Sequence, residues 1–261
     1  MNHSTKNQRL LSAKNSVTTI VKSTFLLVLA LTTFTSCNAQ WGNGKTIKGN
    51  GNVTTITRTT ADYDALRLSG WMDFELVKGT EGTITIEGEE NLLEYIITEI
   101  EYGGLVIKTE KNVNLKPSGN KTIKITIPFE DIEKVSLAGS GDVTSNTTIN
   151  SNNFRASISG SGDIELDINS KNTEAKVTGS GDLTLTGNTT NLQVNVTGSG
   201  DFHGERLQAD NTEAKVTGSG DIVVYAKKNL KARVTGSGDI EYKGNPEKVD
   251  TKVTGSGDIS N

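Results

Sequence analysis

VTGSGDLTLTGNTTNLQVNVTGSGDF, residues Val177–Phe202, carries the tetrapeptide GSGD twice, nineteen residues apart. The same four residues begin at Gly139, Gly160, Gly179, Gly198, Gly218, Gly236 and Gly255, at intervals of 21, 19, 19, 20, 18 and 19. A fixed period near twenty marks a stacked architecture, in which one unit repeats along an axis. The flanks say which unit. Ahead of the corner, apolar residues take alternate places: Ala175 and Val177, Val194 and Val196, Ala214 and Val216, Ala232 and Val234. After it the alternation resumes with Ile164 and Leu166, Leu183 and Leu185, Ile222 and Val224, Ile240 and Tyr242. A period of two belongs to a strand with one buried face, and the β-branched content agrees.

One repeat is therefore strand, GSGD corner, strand and a polar turn such as Gly187–Asn191. Hairpin pairing within a repeat would give a flat antiparallel sheet or a sandwich. Parallel pairing of each strand with its copy one coil later would set equal residues in columns about 4.8 Å apart. Only the second arrangement explains why identical residues recur at identical places. The sequence predicts an all-β fold, a parallel β-helix-like solenoid with coils of about nineteen residues. Seven coils would stand roughly 34 Å tall.

The corner has its own chemistry. Glycine takes backbone angles that other residues reach only with strain, and two of them let coils approach closely. Aspartate tolerates a bend and accepts from nearby N–H groups. Successive N–H groups there can form an anion-holding nest. Stacking would also bring Asp163, Asp182, Asp201, Asp221, Asp239 and Asp258 into one column. Two charges 4.8 Å apart repel by about 0.9 kcal/mol in bulk water, and by about 3.5 kcal/mol at an effective dielectric of 20. Backbone donors and serine hydroxyls are one way to offset this, and bound calcium is another. Calcium β-roll repeats, however, run near nine residues, about half the interval here. One carboxylate per coil also falls short of the six to eight oxygens calcium takes. No metal or cofactor is assigned.

Residues 41–137 lack a clear repeat but read as strands: Thr46–Arg58, Ala65–Gly70, then DFELVKG, TITIEG, LVIKTE and TIKITIP, the last ended by Pro128. Glu89–Ile97 reads as one short helix with acids at its start, where they suit the helix dipole. Leu68–Leu76 resembles a decayed corner, with Gly70 and Asp73 in the GSGD places. These strands are expected to cap the N-terminal end of the stack. At the other end, GSGDISN carries no capping segment. Lys243, Pro246, Lys248 and Lys252 are expected to blunt that edge; the alternative is pairing with a partner, including a second copy of the chain.

The first 36 residues hold Lys6, Arg9, Lys14 and Lys22 and no acid, and an apolar run spans Phe25–Phe34. That is the pattern of an export signal, too short to cross a bilayer, which takes about twenty apolar residues. Cys37 is the only cysteine, so no intrachain disulfide can form. Its place after Phe34-Thr35-Ser36 resembles a lipobox, which makes Cys37 the lipidation site and first mature residue. The alternative is ordinary cleavage after Ala39. The expected organisation is residues 1–36 as a lipoprotein-type signal, 37–61 as a mature N-terminal strand segment, 62–257 as the main domain and 258–261 as a tail. Within the main domain, 62–137 is the irregular part and 138–257 the repeat coils. Without residues 1–36 the net charge moves from −4 to −8, which argues against nucleic acid or an anionic membrane surface as partner. Membrane contact is expected only through a lipid on Cys37.

VTGSGDL-type repeats preceded by FELVKGTEGTITIEGEENLLEYIITEI (Phe74–Ile100) resemble the putative auto-transporter adhesin, head GIN domain family. The resemblance covers roughly Asp62–Gly257. It rests on the ENLL segment, Glu90–Leu93, together with the serial GSGD. WGNGKTIKGNGNVTT (Trp41–Thr55) is also similar to the family. The resemblance implies a right-handed β-helix-like fold and an exported protein, lipid-anchored to the outer membrane or secreted. It brings no catalytic residue.

The residues offer little for catalysis. His203 is the one histidine after the signal, and its place after Phe202 on an alternating strand turns it outward. With no second histidine there, Cys–His nucleophiles and His-rich metal sites are excluded. No phosphate loop of the GxGxxG or GxxxxGK kind occurs. A glycosidase would need two carboxylates about 5–10 Å apart in unlike environments, and the Asp column repeats one environment. Arg155, Glu205 and Arg206 break the repeat but lie scattered in sequence. Three functions compete. The favoured one is a non-enzymatic envelope scaffold binding a glycan or protein along outward residues such as Lys176, Thr178, Thr184 and Gln193. The others are a module that self-associates through its C-terminal coil and a polysaccharide-active enzyme.

Overall fold

The computed structural model describes residues 44–261. Burial follows the alternation in the sequence. Along the strand Leu183–Gly198, Leu183, Leu185, Leu192, Val194 and Val196 are buried, while Gln193 is exposed. Each long strand pairs in parallel with its copies on both sides. Val177 lies beside Val196, Val196 beside Val216, and Val216 beside Val234. The coils form a β-solenoid of about seven turns, with about 19 residues per coil. Its core is a set of aliphatic columns, each fully buried Val or Leu contributing about 1.5–3 kcal/mol. The polar turns do not break the strands. Leu183–Gly198 runs through Gly187–Asn191, and its neighbours follow the same bend in register.

The corner satisfies its backbone donors completely across coils, as burial requires. The N–H groups of Ser180 and Gly181 both donate to the carbonyl of Gly160, at 2.8 and 3.1 Å. The predicted nest therefore holds the carbonyl oxygen of the preceding coil. The next N–H, of Asp182, donates to Asp163 Oδ1 at 3.0 Å. Leu183 N–H then donates to the carbonyl of Asp201, one coil on. The two glycines serve different needs. Gly179 has φ +119°, whereas Gly181 has no such angle but leaves no room: a Cβ there would sit 2.0 Å from the Gly162 carbonyl oxygen.

The decayed corner is real. Ala65–Gly70 pairs in parallel with Lys134–Gly139, which sets Gly70 beside Gly139. Asp73–Lys78 pairs likewise with Val143–Ser145. Beyond this coil the regularity ends. Thr83–Glu89 runs antiparallel to both Val53–Thr59 and Lys124–Phe129, and Ile96–Glu101 is antiparallel to Gly104–Thr109.

Three local expectations change. The helix is only Glu90–Leu93, and Ile96 already begins a strand, because Ile96, Ile97 and Ile100 belong to a hairpin. Thr46–Arg58 divides into Lys45–Lys48, paired with Val113–Lys116, and Val53–Thr59, with Gly51 at φ +84° between them. Pro128 lies inside Lys124–Phe129 beside Val77 rather than ending the strand. Glu89 does not cap the helix. Its carboxylate is buried and accepts from Gly51 N at 2.5 Å, Ser118 Oγ at 2.6 Å and Ser118 N at 2.8 Å. The Ser118 contacts hold it below the usual carboxylate range.

Candidate functional site

A groove of about 650 Å³ runs along the stack, lined on one side by Asn153, Asn172, Asn191, Asn211 and Asn229. Parallel register puts each of these asparagines beside the next. Their side chains form a ladder. Each Nδ2 donates to the Oδ1 one coil earlier, at 2.8, 2.8, 2.9 and 2.6 Å. One amide N–H and one oxygen lone pair per rung remain for a ligand, repeating at about 4.8 Å over roughly 19 Å.

Two residues further along each strand stand Arg155, Glu174, Gln193, Glu213, Lys231 and Asp250, again in register. This row mixes signs and partly neutralises itself. Arg155 Nε meets Glu174 Oε2 at 3.0 Å, and Lys231 Nζ meets Glu213 Oε1 at 2.7 Å. Asp250 is held below its ordinary carboxylate range by the bond from Arg233. Between the two rows, Phe154, Leu192 and Leu230 belong to the buried core. The groove therefore combines amides and mixed charges on its flanks with apolar surface on its floor, where Val249 is exposed at the C-terminal end.

A second polar ladder follows the corners. Each Asp Oδ1 accepts the N–H of the Asp one coil later, from Asp142–Asp163 at 3.2 Å to Asp239–Asp258 at 2.7 Å. Backbone donors thus face the carboxylates from Asp142 to Asp239, which offsets the like-charge column. His203 does turn outward and is half-buried. One of its ring nitrogens and one oxygen each from Asp182 and Asp201 lie within 4.8 Å of one another.

Among the outward residues read from the sequence, Gln193 lies in the groove, while Lys176, Thr178 and Thr184 lie outside its lining. Arg155 also lines it, whereas Glu205 and Arg206 sit on a bulge in the strand Phe202–Gly218. Cys37 and the expected export signal, residues 1–36, fall outside the described residues. The asparagine ladder had a signal in the sequence. Its intervals of 19, 19, 20 and 18 copy those of GSGD from Gly160 to Gly236. The GSGD period masked it, because the turn reads merely as polar.

Residues 62–246 match the family described as putative auto-transporter adhesin, head GIN domain. The chain belongs to that family. Its fold is similar to that of a putative adhesin from Bacteroides fragilis, with TM-score 0.77 and 24% identity over 82% of this chain and 99% of the other. A putative lipid binding protein from Parabacteroides distasonis is also similar, with TM-score 0.68 and 28% identity over 83% and 99%. So is a putative adhesin from the same organism, with TM-score 0.67 and 24% identity over 83% and 99%. No curated protein matches. The family's description points to an adhesin-like protein of the cell envelope or exterior. Among the described residues, no helix is long and apolar enough to cross a membrane.

Proposed function

We propose that the protein is a non-enzymatic envelope adhesin that binds an extended, near-neutral glycan strand along the asparagine groove. The observation that carries this reading is the ladder Asn153–Asn229. It offers hydroxyl-bonding amides at a repeat close to the length of one pyranose ring. The mixed charges of the flanking row favour a ligand without strong net charge, since a polyanion or polycation would meet both signs.

Binding to an array of neutral and charged polysaccharides tests the reading. The expected result is retention of one or more neutral polymers, lost in the double variant Asn191→Ala/Asn211→Ala. Retention of only charged polymers, or equal binding by the variant, contradicts it. Anchoring through a lipid on Cys37 belongs to the same proposal. Mass spectrometry of the mature N-terminus should show an acylated Cys37, and a chain beginning at Gln40 would remove the anchor.

A further inference from the structure

The fourth GSGD corner differs from the others in ways that converge on one place. Two residues after the corner Asp stand Thr144, Glu165, Thr184, His203, Val223, Glu241 and Ser260 in successive coils. Only this coil puts an imidazole there. The strand that carries it also holds the extra residue of a bulge, between His203 and Leu207. Asp182 and Asp201 are the half-buried members of the column, whereas Asp142, Asp163, Asp221, Asp239 and Asp258 are exposed.

We propose that Asp182, Asp201 and His203 form a binding site for a divalent transition metal of the zinc class. Their donor atoms converge within 4.8 Å. Tetrahedral zinc with bonds of about 2.0–2.2 Å sets its ligand atoms about 3.4 Å apart, so the set would close by up to about 1.4 Å through side-chain rotation. The backbone ladder does not use these carboxylates up. Asp201 N donates to Asp182 Oδ1 at 2.9 Å and Asp221 N to Asp201 Oδ1 at 2.7 Å, so each bond takes one oxygen. A divalent cation would neutralise the two carboxylates, which the ladder holds about 4.8 Å apart. Glu205, two residues beyond His203, is half-buried and its Oε2 has no hydrogen-bond partner, but its carboxylate is not one of the three converging donors. The nitrogen donor separates this site from a calcium site, which takes oxygen ligands.

Calorimetric titration of the tag-free full chain with Zn²⁺ tests the site, with Cys37→Ser as a common background. The expected result is one Zn²⁺ per chain and a raised Tm on binding. His203→Ala should weaken binding at least tenfold and abolish the Tm rise. Asp201→Asn should weaken it similarly while keeping the Oδ1 that serves the ladder, so the metal-free Tm stays near that of the parent. Asp163→Asn alters the same column one coil away from the site and should leave the affinity unchanged. Absence of Zn²⁺ binding in the micromolar range overturns the proposal. So does equal binding by His203→Ala, or displacement of Zn²⁺ by a modest excess of Ca²⁺.

Discussion

The coils that follow Gly139 and the region that precedes it bury the same kinds of residue in different ways. In the coils, order comes from repetition: every corner after Gly139 rests on an identical corner, and its backbone donors find their acceptors one coil away. Before Gly139, order comes from single contacts. Tyr63 is buried and donates its hydroxyl to the Pro128 carbonyl, and Arg58 reaches the carbonyls of Ile96 and Leu93. The Glu89 carboxylate ties Gly51 to Ser118. A repeated contact tolerates no enlargement, because the neighbour above is fixed backbone. A unique contact fails when its one partner is removed.

The glycines break that contrast most sharply. Gly179→Ala combines a strained φ of +119° with a Cβ 2.3 Å from the Gly160 carbonyl oxygen. Gly70→Ala meets the same strain, at φ +118°, but its Cβ would touch just side-chain ends, Met72 Cε at 3.4 Å and Thr109 Oγ1 at 3.8 Å. Denaturant melts should show Gly70→Ala destabilised by about 1–2 kcal/mol. Gly179→Ala should lose about 3 kcal/mol or more, since backbone must also move. Equal losses would mean that the coils are not in close contact at the corner.

Acid should act next, and on the other region. Glu89 has a carboxylate held below its usual range, so its contribution is present above the ordinary carboxylate pKa and disappears as pH falls through the depressed value. Thermal melts between neutral and acid pH should show the parent losing stability over that window. Glu89→Gln should start lower at neutral pH and change less. A parallel pH dependence in the two proteins would show that Ser118 and Gly51 do not discriminate the charged form.

These two effects also show what the sequence reveals. The columns were legible because period two and period nineteen appear together in residues such as Val177, Val196 and Val216. The decayed corner at Gly70 was legible because Gly70 and Asp73 keep two of the GSGD places. Glu89 was not. Its acidic neighbours suggested a helix start, while its partners Gly51 and Ser118 lie 38 and 29 residues away in sequence. Local pattern carries no information about such a pairing. The groove was half legible: the asparagines recur visibly, but that the turn bends without leaving the ladder follows only from the parallel register.

Smaller effects sharpen the account within the coils. Asn191→Ala removes two exposed rungs and should destabilise by about 1 kcal/mol in denaturant melts. Lys231→Ala deletes an exposed pair with Glu213 and should change stability by no more than about 0.5 kcal/mol. A larger loss for Lys231 than for Asn191 would shift the stabilising role from the amide ladder to the charged row.

The stack itself is tested most directly by pulsed electron–electron distances between spin labels at the exposed corner serines, with Cys37 replaced. Pairs Ser140/Ser219, Ser140/Ser237 and Ser140/Ser256 span four, five and six coil steps. The distances should grow steadily, by about 4.8 Å per step, from roughly 19 to roughly 29 Å. Distances that fail to increase in equal steps, or that shorten for the most remote pair, would contradict the alignment of these corners along one edge.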